Sequence, residues 1–146
     1  MTLAYDELPC KLKEKIDGKI LIHDSAHNSA GMLRKGYLEV DNPSETPGAR
    51  HPIIITDNNT KKKLLFLGRR PYAYIIGMEI EESENLLDQI WEHATQEKFT
   101  WTQKWEKGYL LMWKNLNVLH KIDAFDPKTR RIMHRTQLKG EMKISA

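Results

Sequence analysis

His120 is the residue whose type and neighbours point most directly to chemistry. Leu116, Val118 and Ile122 lie an even number of positions away, so strand alternation predicts that His120 shares their face and points into an apolar interior. A neutral imidazole in that setting needs either a hydrogen-bond partner or a metal ion. The spacing alone fits a hydrogen-bonded core histidine better than a metal ligand, and both interpretations stay open.

Two arginines follow on the next predicted strand. Arg131, Met133 and Arg135 fall on one face of that strand because side chains alternate. Two guanidinium groups on one face repel each other unless an anion lies between them, and the planar fork of arginine suits a carboxylate. The alternative is an exposed basic edge that discourages pairing with other chains. The pattern fits an anion site and a basic edge equally well.

Two helices are predicted in the first hundred residues. One covers 2–16, with apolar side chains at helical spacing and a break or fresh start at Pro9. The clearer one covers 81–96, where acidic residues crowd the first turn and suit the helix dipole. Between these helices, the polar stretch 23–29 and the proline-rich stretch 42–52 are interpreted as loops.

Strands are predicted on either side of the second helix. A hairpin joins 52–55 to 64–67 through the turn residues of 57–59. Beyond the helix, apolar alternation and apolar runs predict strands over 99–105, 109–113, 116–122 and 131–138. One helix packed on several antiparallel strands indicates an α+β, mainly β fold of jelly-roll type.

Composition narrows the class of protein. With 146 residues, 40% of them hydrophobic and 29% charged, the chain is typical of a globular domain with a core of its own. The sequence shows no leader peptide and no membrane-length apolar run, and its single cysteine fits a cytoplasmic location. A net charge of +3 does not indicate a nucleic-acid partner, and Trp101, Trp105 and Trp113 alternate as core residues would.

A signature near the C-terminal end suggests a family. The segments are WKNLNVLH at 113–120 and DPKTRRIMHRTQLKG at 126–140. They resemble the terminal signature of the taurine dioxygenase (TauD/TfdA) family of Fe(II)/2-oxoglutarate-dependent dioxygenases, which reads Trp-Asp-Asn, a run ending in His, then Arg-Arg-hydrophobic-Met-His-Arg-x-x-x-x-Gly. The resemblance extends upstream through LGRR at 67–70 to the first helix, so it covers nearly the whole chain.

This resemblance implies a fold and an activity. Residues 1–146 would form the C-terminal portion of a double-stranded β-helix (jelly roll) with flanking helices: a helical and loop insert region at 1–50, and the hairpin, helix and jelly-roll strands at 51–146. The implied reaction hydroxylates a small, anionic substrate while 2-oxoglutarate is converted to succinate and CO2. By the resemblance His120 binds Fe(II), Arg131 pairs with the distal carboxylate of 2-oxoglutarate, and Arg135 lies near the acidic group of the substrate.

Two departures from the family pattern limit that expectation. Lys114 stands where the family usually has Asp. None of the six histidines is followed two positions later by Asp or Glu, although an iron site of two histidines and one carboxylate needs three ligands. His23, Asp24 and His27 are a conceivable substitute, but their polar context favours a solvated stretch.

The missing motif leaves a second interpretation open. The chain would then be a non-catalytic fragment or pseudoenzyme acting as a binding or assembly module, beside a separate N-terminal half or as a homo-oligomer. Neither interpretation includes a nucleic acid or a membrane as partner.

Overall fold

The fold is known from a computed structural model, which describes residues 1–28, 30–68, 73–126, 128–140 and 144. Ser29, Arg69, Arg70 and Pro127 therefore lie outside the described residues, although the last three belong to the family signature. The helices are α1 (Thr2–Asp6), α2 (Cys10–Ile16) and α3 (Ile80–Ala94), and the strands are β1 (Ile20–Asp24), β2 (Gly48–Pro52), β3 (Ile54–Thr56), β4 (Lys63–Leu65) and β5 (Tyr74–Ile75). Short 3-10 turns cover Pro43–Glu45 and Glu97–Phe99.

The helices follow the sequence pattern closely. Pro9 divides the first predicted helix into α1 and α2, since proline has no N–H to continue a helical hydrogen-bond ladder. Gly18, with φ of 65°, turns the chain after α2 into β1. The predicted helix over 81–96 is confirmed as α3, whose buried side chains include Leu86, Leu87 and Ile90.

The strands form two small antiparallel sheets. One has the order β2-β1-β5, and the other is the predicted hairpin of β3 and β4. The loop predictions were wrong at two places: His23 and Asp24 belong to β1, and the segment 48–52 forms β2. The polar residues His23 and Asp24 belong to a strand here because β2 pairs with them, whereas β5 pairs only with Leu21 and Ile22 of the same strand.

The core lies between the helices and the strands of the first hundred residues. Its side chains come from α1, α2, β1, β3, β4, β5 and α3, and the largest fully buried ones include Ile16, Leu21, Leu65, Leu87 and Ile90. Each such side chain contributes about 1.5–3 kcal/mol when it is removed from water. Among the described residues, no helix is long and apolar enough to cross a membrane.

The segment 100–140 lacks helices and strands at its described positions. The strands predicted over 99–105, 109–113, 116–122 and 131–138 are absent, so the expectation of a mainly β chain was wrong for the described part, whereas α+β is confirmed. Large apolar side chains are exposed there, at 84% for Leu110, 81% for Met112 and 92% for Leu138. Alternating residues form a strand only when a neighbouring strand accepts their backbone hydrogen bonds, and the described chain offers none to this segment.

Candidate functional site

Asp24 and His27 form a buried polar group, not the solvated stretch that their sequence context favoured. Both residues are 2% exposed. The Asp24 carboxylate accepts hydrogen bonds from the backbone N–H groups of Ala26 and His27, at 2.7 and 3.1 Å. The two ring nitrogens of His27 face separate carboxylates, Asp24 Oδ2 at 3.0 Å and Glu39 Oε2 at 3.1 Å. The imidazole therefore lies between the two carboxylates, so the three groups do not surround a common position where a metal ion could bind.

A substitute iron site at this position is not supported. Across the part of the chain that the structure describes, no group of three His, Cys, Asp or Glu side chains could hold a metal ion. His23, the third member of the suggested cluster, stacks on Phe66 with ring centroids 4.9 Å apart and meets His51 edge-on at 5.2 Å. Its ring is thus part of an aromatic group with His51 and Phe66.

A second polar group joins the β3–β4 hairpin to the segment that carries the family signature. Asp57 Oδ2 accepts hydrogen bonds from Lys114 Nζ at 2.9 Å and from Asn117 Nδ2 at 2.8 Å. Asp57 Oδ1 accepts from the backbone N–H groups of Asn59 and Thr60. These hydrogen bonds hold the pKa of the Asp57 carboxyl well below its ordinary value of 3.8. The one with Lys114 is the largest cause, and the one with Asn117 comes next.

Trp113 brings two of the three predicted site residues together. The ring centroids of Trp113 and His120 are 5.6 Å apart, and the guanidinium carbon of Arg135 lies 5.9 Å from the Trp113 ring centroid. This distance is within the range of a cation–π contact. His120 and Arg135 therefore meet on one indole ring, although they are fifteen positions apart.

Arg131 is placed differently from the expectation. Its guanidinium carbon lies 5.6 Å from the ring centroid of Phe125, and no described contact joins it to the Trp113 ring. His120, Arg131 and Arg135 are all exposed, so the prediction that His120 points into an apolar interior was wrong for this chain. The strand that was to bury His120 does not form, which removes the reason for its inward direction.

Sequence reasoning did not identify Trp113 and Asp57 as parts of this arrangement. Two signals were available: an acidic residue in the hairpin turn, and the lysine at position 114, which departs from the signature that the sequence resembles. A charge reversal at one position calls for a partner of opposite sign elsewhere, and Asp57 is that partner for Lys114.

The described residues fit part of an iron and 2-oxoglutarate site. The imidazole of His120 is exposed, so it can supply one nitrogen ligand. The guanidinium groups of Arg131 and Arg135 can each receive an anion, and the ion pairs of the described chain include neither of them. Two further ligands of a three-ligand iron site are not present among the described residues.

The sequence matches a known family over almost its whole length. Residues 1–137 match the model of the "Taurine catabolism dioxygenase TauD, TfdA family". The chain therefore belongs to the TauD/TfdA family, which confirms the resemblance of its C-terminal signature.

Several curated relatives of the chain are enzymes that by name depend on 2-oxoglutarate (alpha-ketoglutarate). It is 33% identical over 140 residues to an alpha-ketoglutarate-dependent 2,4-dichlorophenoxyacetate dioxygenase of Burkholderia sp. (strain RASC), covering 96% of this chain and 46% of that protein. It is 29% identical over 147 residues to the (S)-phenoxypropionate/alpha-ketoglutarate-dioxygenase of Sphingobium herbicidovorans, covering 97% of this chain and 50% of that protein. The chain thus spans about half the length of the curated relatives it matches.

Solved structures of the same kind share its fold. AAD-2, crystallised with Mn(II) and N-oxalylglycine, superposes with a TM-score of 0.58 at 27% identity, over 73% of this chain and 41% of that one. A taurine dioxygenase from Burkholderia xenovorans gives a TM-score of 0.53 at 29% identity, over 73% of this chain and 32% of that one. The α+β unit of this chain is therefore an arrangement that dioxygenases of this family contain.

Proposed function

We propose that this chain supplies the C-terminal half of an Fe(II)/2-oxoglutarate-dependent dioxygenase that hydroxylates a small anionic substrate. The family match over residues 1–137, which includes the signature around His120 and Arg131, is the observation that carries this proposal. When bound, iron and 2-oxoglutarate supply the oxidising chemistry, which releases succinate and CO2. The protein's own task is to bind and orient the reacting groups and to exclude water from them.

The residues of this chain divide that task. His120 would hold iron through one imidazole nitrogen. Arg131 would grip the distal carboxylate of 2-oxoglutarate, since its fork can donate two parallel hydrogen bonds. Arg135, whose guanidinium contacts the same Trp113 ring as His120, would attract the acidic group of the substrate.

The names of the relatives support a small acid as substrate. The two curated relatives act on 2,4-dichlorophenoxyacetate and (S)-phenoxypropionate by name, and a structural neighbour is named for taurine. Each of these molecules carries one anionic group on a small body. A guanidinium near the side chain that would bind the metal suits that feature.

The location of the protein is a separate point. The exposed, free Cys10 fits a reducing, cytoplasmic setting.

A complete jelly roll would require strands that the described chain does not contain. The alternating segment 101–138 would form strands against a second half that also brings a His-x-Asp or His-x-Glu pair. Pairing would cover side chains such as Trp101 and Leu110, which are 71% and 84% exposed. The proposal thus includes a partner half, either in the same polypeptide or as a separate chain.

The second candidate is a non-catalytic assembly module. One observation favours it for the chain alone: the described residues do not form a three-ligand metal group. In that case the exposed apolar segment would serve association only, and restoring the missing ligands would not produce turnover.

Succinate release tests the proposal. The chain is assayed with Fe(II), ascorbate, 2-oxoglutarate and small sulfonates or aryloxyacetates, alone and extended by the N-terminal half of a relative that carries His-x-Asp. We expect no turnover from the chain alone and clear turnover from the extended chain, abolished by His120→Ala. No turnover in the extended chain, despite a folded protein, would favour the assembly module.

Matched arginine variants test the site assignment. In the extended chain, where the added half would cover Arg131, Arg131→Ala should weaken 2-oxoglutarate binding by at least about thirtyfold, which corresponds to about 2 kcal/mol for the loss of one partner of a charge pair shielded from water. Arg130→Ala removes the same charge one position earlier and should leave binding nearly unchanged. Arg131→Lys keeps the charge but loses the fork, so binding should still weaken. Equal effects of Arg131→Ala and Arg130→Ala would refute the assignment.

A further inference from the structure

We propose that Asp57, Lys114 and Asn117, called here the Asp57 cluster, position the Trp113 ring and through it His120 and Arg135. The three are positioning residues, since their described hydrogen bonds are with one another, with the hairpin backbone and, at the Asn117 carbonyl oxygen, with the Met1 amino group at 3.0 Å. The functional meaning of this role rests on the proposed function, because that function gives His120 and Arg135 their tasks. The positioning itself can be measured without metal or co-substrate.

The first step is that Asp57 is fixed within the β3–β4 hairpin. Its Oδ1 accepts hydrogen bonds from the backbone N–H of Asn59 at 2.9 Å and of Thr60 at 3.3 Å. Its own backbone N–H donates to Lys62 O at 2.9 Å, and its carbonyl accepts from Lys61 N at 2.7 Å. The carboxylate is thereby oriented by the turn and is almost fully buried, with 5% of the residue exposed.

The second step is that the other carboxylate oxygen holds the turn at 114–117. Asp57 Oδ2 accepts from Lys114 Nζ and Asn117 Nδ2, at the two ends of a turn that the Asn117 N–H to Lys114 O hydrogen bond closes at 3.0 Å. Four hydrogen bonds thus converge on one carboxylate. Burying a charge is costly unless it is paired, so the side chain of Lys114 is required at this place.

The positive charge at position 114 suits the Asp57 carboxylate, and a negative charge there would not. An aspartate there, the residue that the resemblance of the signature leads us to expect, would place a second carboxylate against Asp57. Like charges at hydrogen-bond distance repel, and neither would keep its partner. Asp57 and Lys114 are therefore complementary features of this chain, which makes the unusual lysine part of its site support.

The third step leads from the turn to the predicted site residues. Trp113 directly precedes Lys114, and its indole Nε1 donates to Asn115 Oδ1 at 2.8 Å inside the same turn. The indole ring then contacts His120 at 5.6 Å and Arg135 at 5.9 Å. The direction of the ring is set by the turn, and the ring is the shared contact of the two side chains.

A merely structural role for the cluster makes a different prediction. In that case its loss would lower the melting temperature but leave the Trp113–His120 contact as it is. The positioning role predicts that the contact itself is lost, including at temperatures well below unfolding. The two roles are separated by observing the rings directly.

NMR of the full chain at pH 7 provides that observation. The nuclear Overhauser effect between the Trp113 ring and the His120 ring protons is measured for Asp57→Asn, Lys114→Met, the double variant and Lys114→Arg. Lys121→Met is the matched control: it removes the same charge next to His120, where Lys121 has a 3.5 Å contact with Asp123 and is 88% exposed. A melting curve recorded for each variant confirms that it is folded.

The expected result is loss of the ring contact in both single variants. The double variant should lose no more than either single one, because the two residues act through one interaction. Lys114→Arg should keep the contact and so rescue the loss of lysine, and Lys121→Met should match the wild type. In the extended chain, Asp57→Asn should also weaken Mn(II) binding roughly tenfold, the size typical of residues that orient a metal ligand.

Two results would overturn the inference. One is a ring contact that persists in folded Asp57→Asn and Lys114→Met, and the other is an equal loss in Lys121→Met. The proposed function fails separately, by absence of succinate release from the extended wild-type chain. A lost ring contact in the single variants would support the positioning role even then.

Discussion

Ser83→Ala should loosen α3 from the sheet that it covers. Ser83 is fully buried, and its Oγ accepts a hydrogen bond from the backbone N–H of Ile75 in β5 at 2.9 Å. Ile75 is itself fully buried and pairs with Leu21 of the central strand on its other side. The substitution removes the acceptor and leaves a peptide N–H in the core without a partner.

Two effects of opposite sign decide the magnitude. An unsatisfied buried N–H costs about 1–3 kcal/mol. Alanine is the better helix former and returns roughly 0.5 kcal/mol within α3. The first effect is larger, so we expect a net loss of about 0.5–2.5 kcal/mol in the free energy of unfolding. For an ordered part of about 100 residues this lowers the melting temperature by roughly 4–8 °C per kcal/mol.

Urea unfolding and amide exchange together form the assay. Gln89→Ala is the matched control: it lies on the exposed face of α3, where its side chain donates to Asn85 O at 3.1 Å. That variant should stay within about 0.5 kcal/mol of the wild type. The exchange of the Ile75 N–H should accelerate in Ser83→Ala only. Equal stability of Ser83→Ala and Gln89→Ala would refute the reasoning.

Three other outcomes follow from the structure. Because folding lowers the pKa of Asp57, the stability that its carboxylate contributes is fully present at a pH well above 3.8 and is lost as the pH falls below that value. The free energies of urea unfolding of the wild type and of Asp57→Asn should therefore converge on acidification. Gly48→Ala would place a Cβ 2.1 Å from the backbone oxygen of His23, and the backbone cannot move aside at low cost. We expect thermal unfolding to show a loss of roughly 1–3 kcal/mol in stability. The control Gly140→Ala has open space around its Cβ and should be neutral. The exposed apolar side chains of 101–138 should drive self-association, so light scattering should detect dimers or larger species at high concentration, and a monomer throughout would contradict this.

The elements that the sequence predicted well are those with local causes. Acidic residues in its first turn and an apolar stripe defined α3, and both features act within one helix. The β3–β4 hairpin follows from the β-branched residues of β3 before the Asp57 turn and the apolar leucines of β4 after it. In each case the residues that determine the element are also the residues that form it.

The elements that the sequence predicted poorly depend on partners that are distant along the chain. His23 and Asp24 look like loop residues, yet their pairing with β2 makes them part of a strand. The reverse holds around His120, where the alternation typical of a strand is present but the described chain provides no neighbour. Strand pairing is a property of two segments, so one segment's pattern cannot settle it.

The candidate site shows the same division. The family signature identified His120, Arg131 and Arg135 as residues of interest, but their spacing did not reveal the Trp113 ring on which His120 and Arg135 meet. Nor did it reveal Asp57, because a contact between a hairpin turn and a distant lysine leaves no periodic pattern in the sequence.

The separation of Asp57 from Lys114 has a consequence for the order of folding during synthesis. The described helices and strands all end by Phe99, whereas the partners of the Asp57 carboxylate are 57 and 60 positions after it. At about 5–20 residues per second, a ribosome adds Lys114 roughly 3–11 s after Asp57. The hairpin can therefore form with one carboxylate oxygen still hydrated, and the segment carrying His120 can join it only after the hairpin has been made.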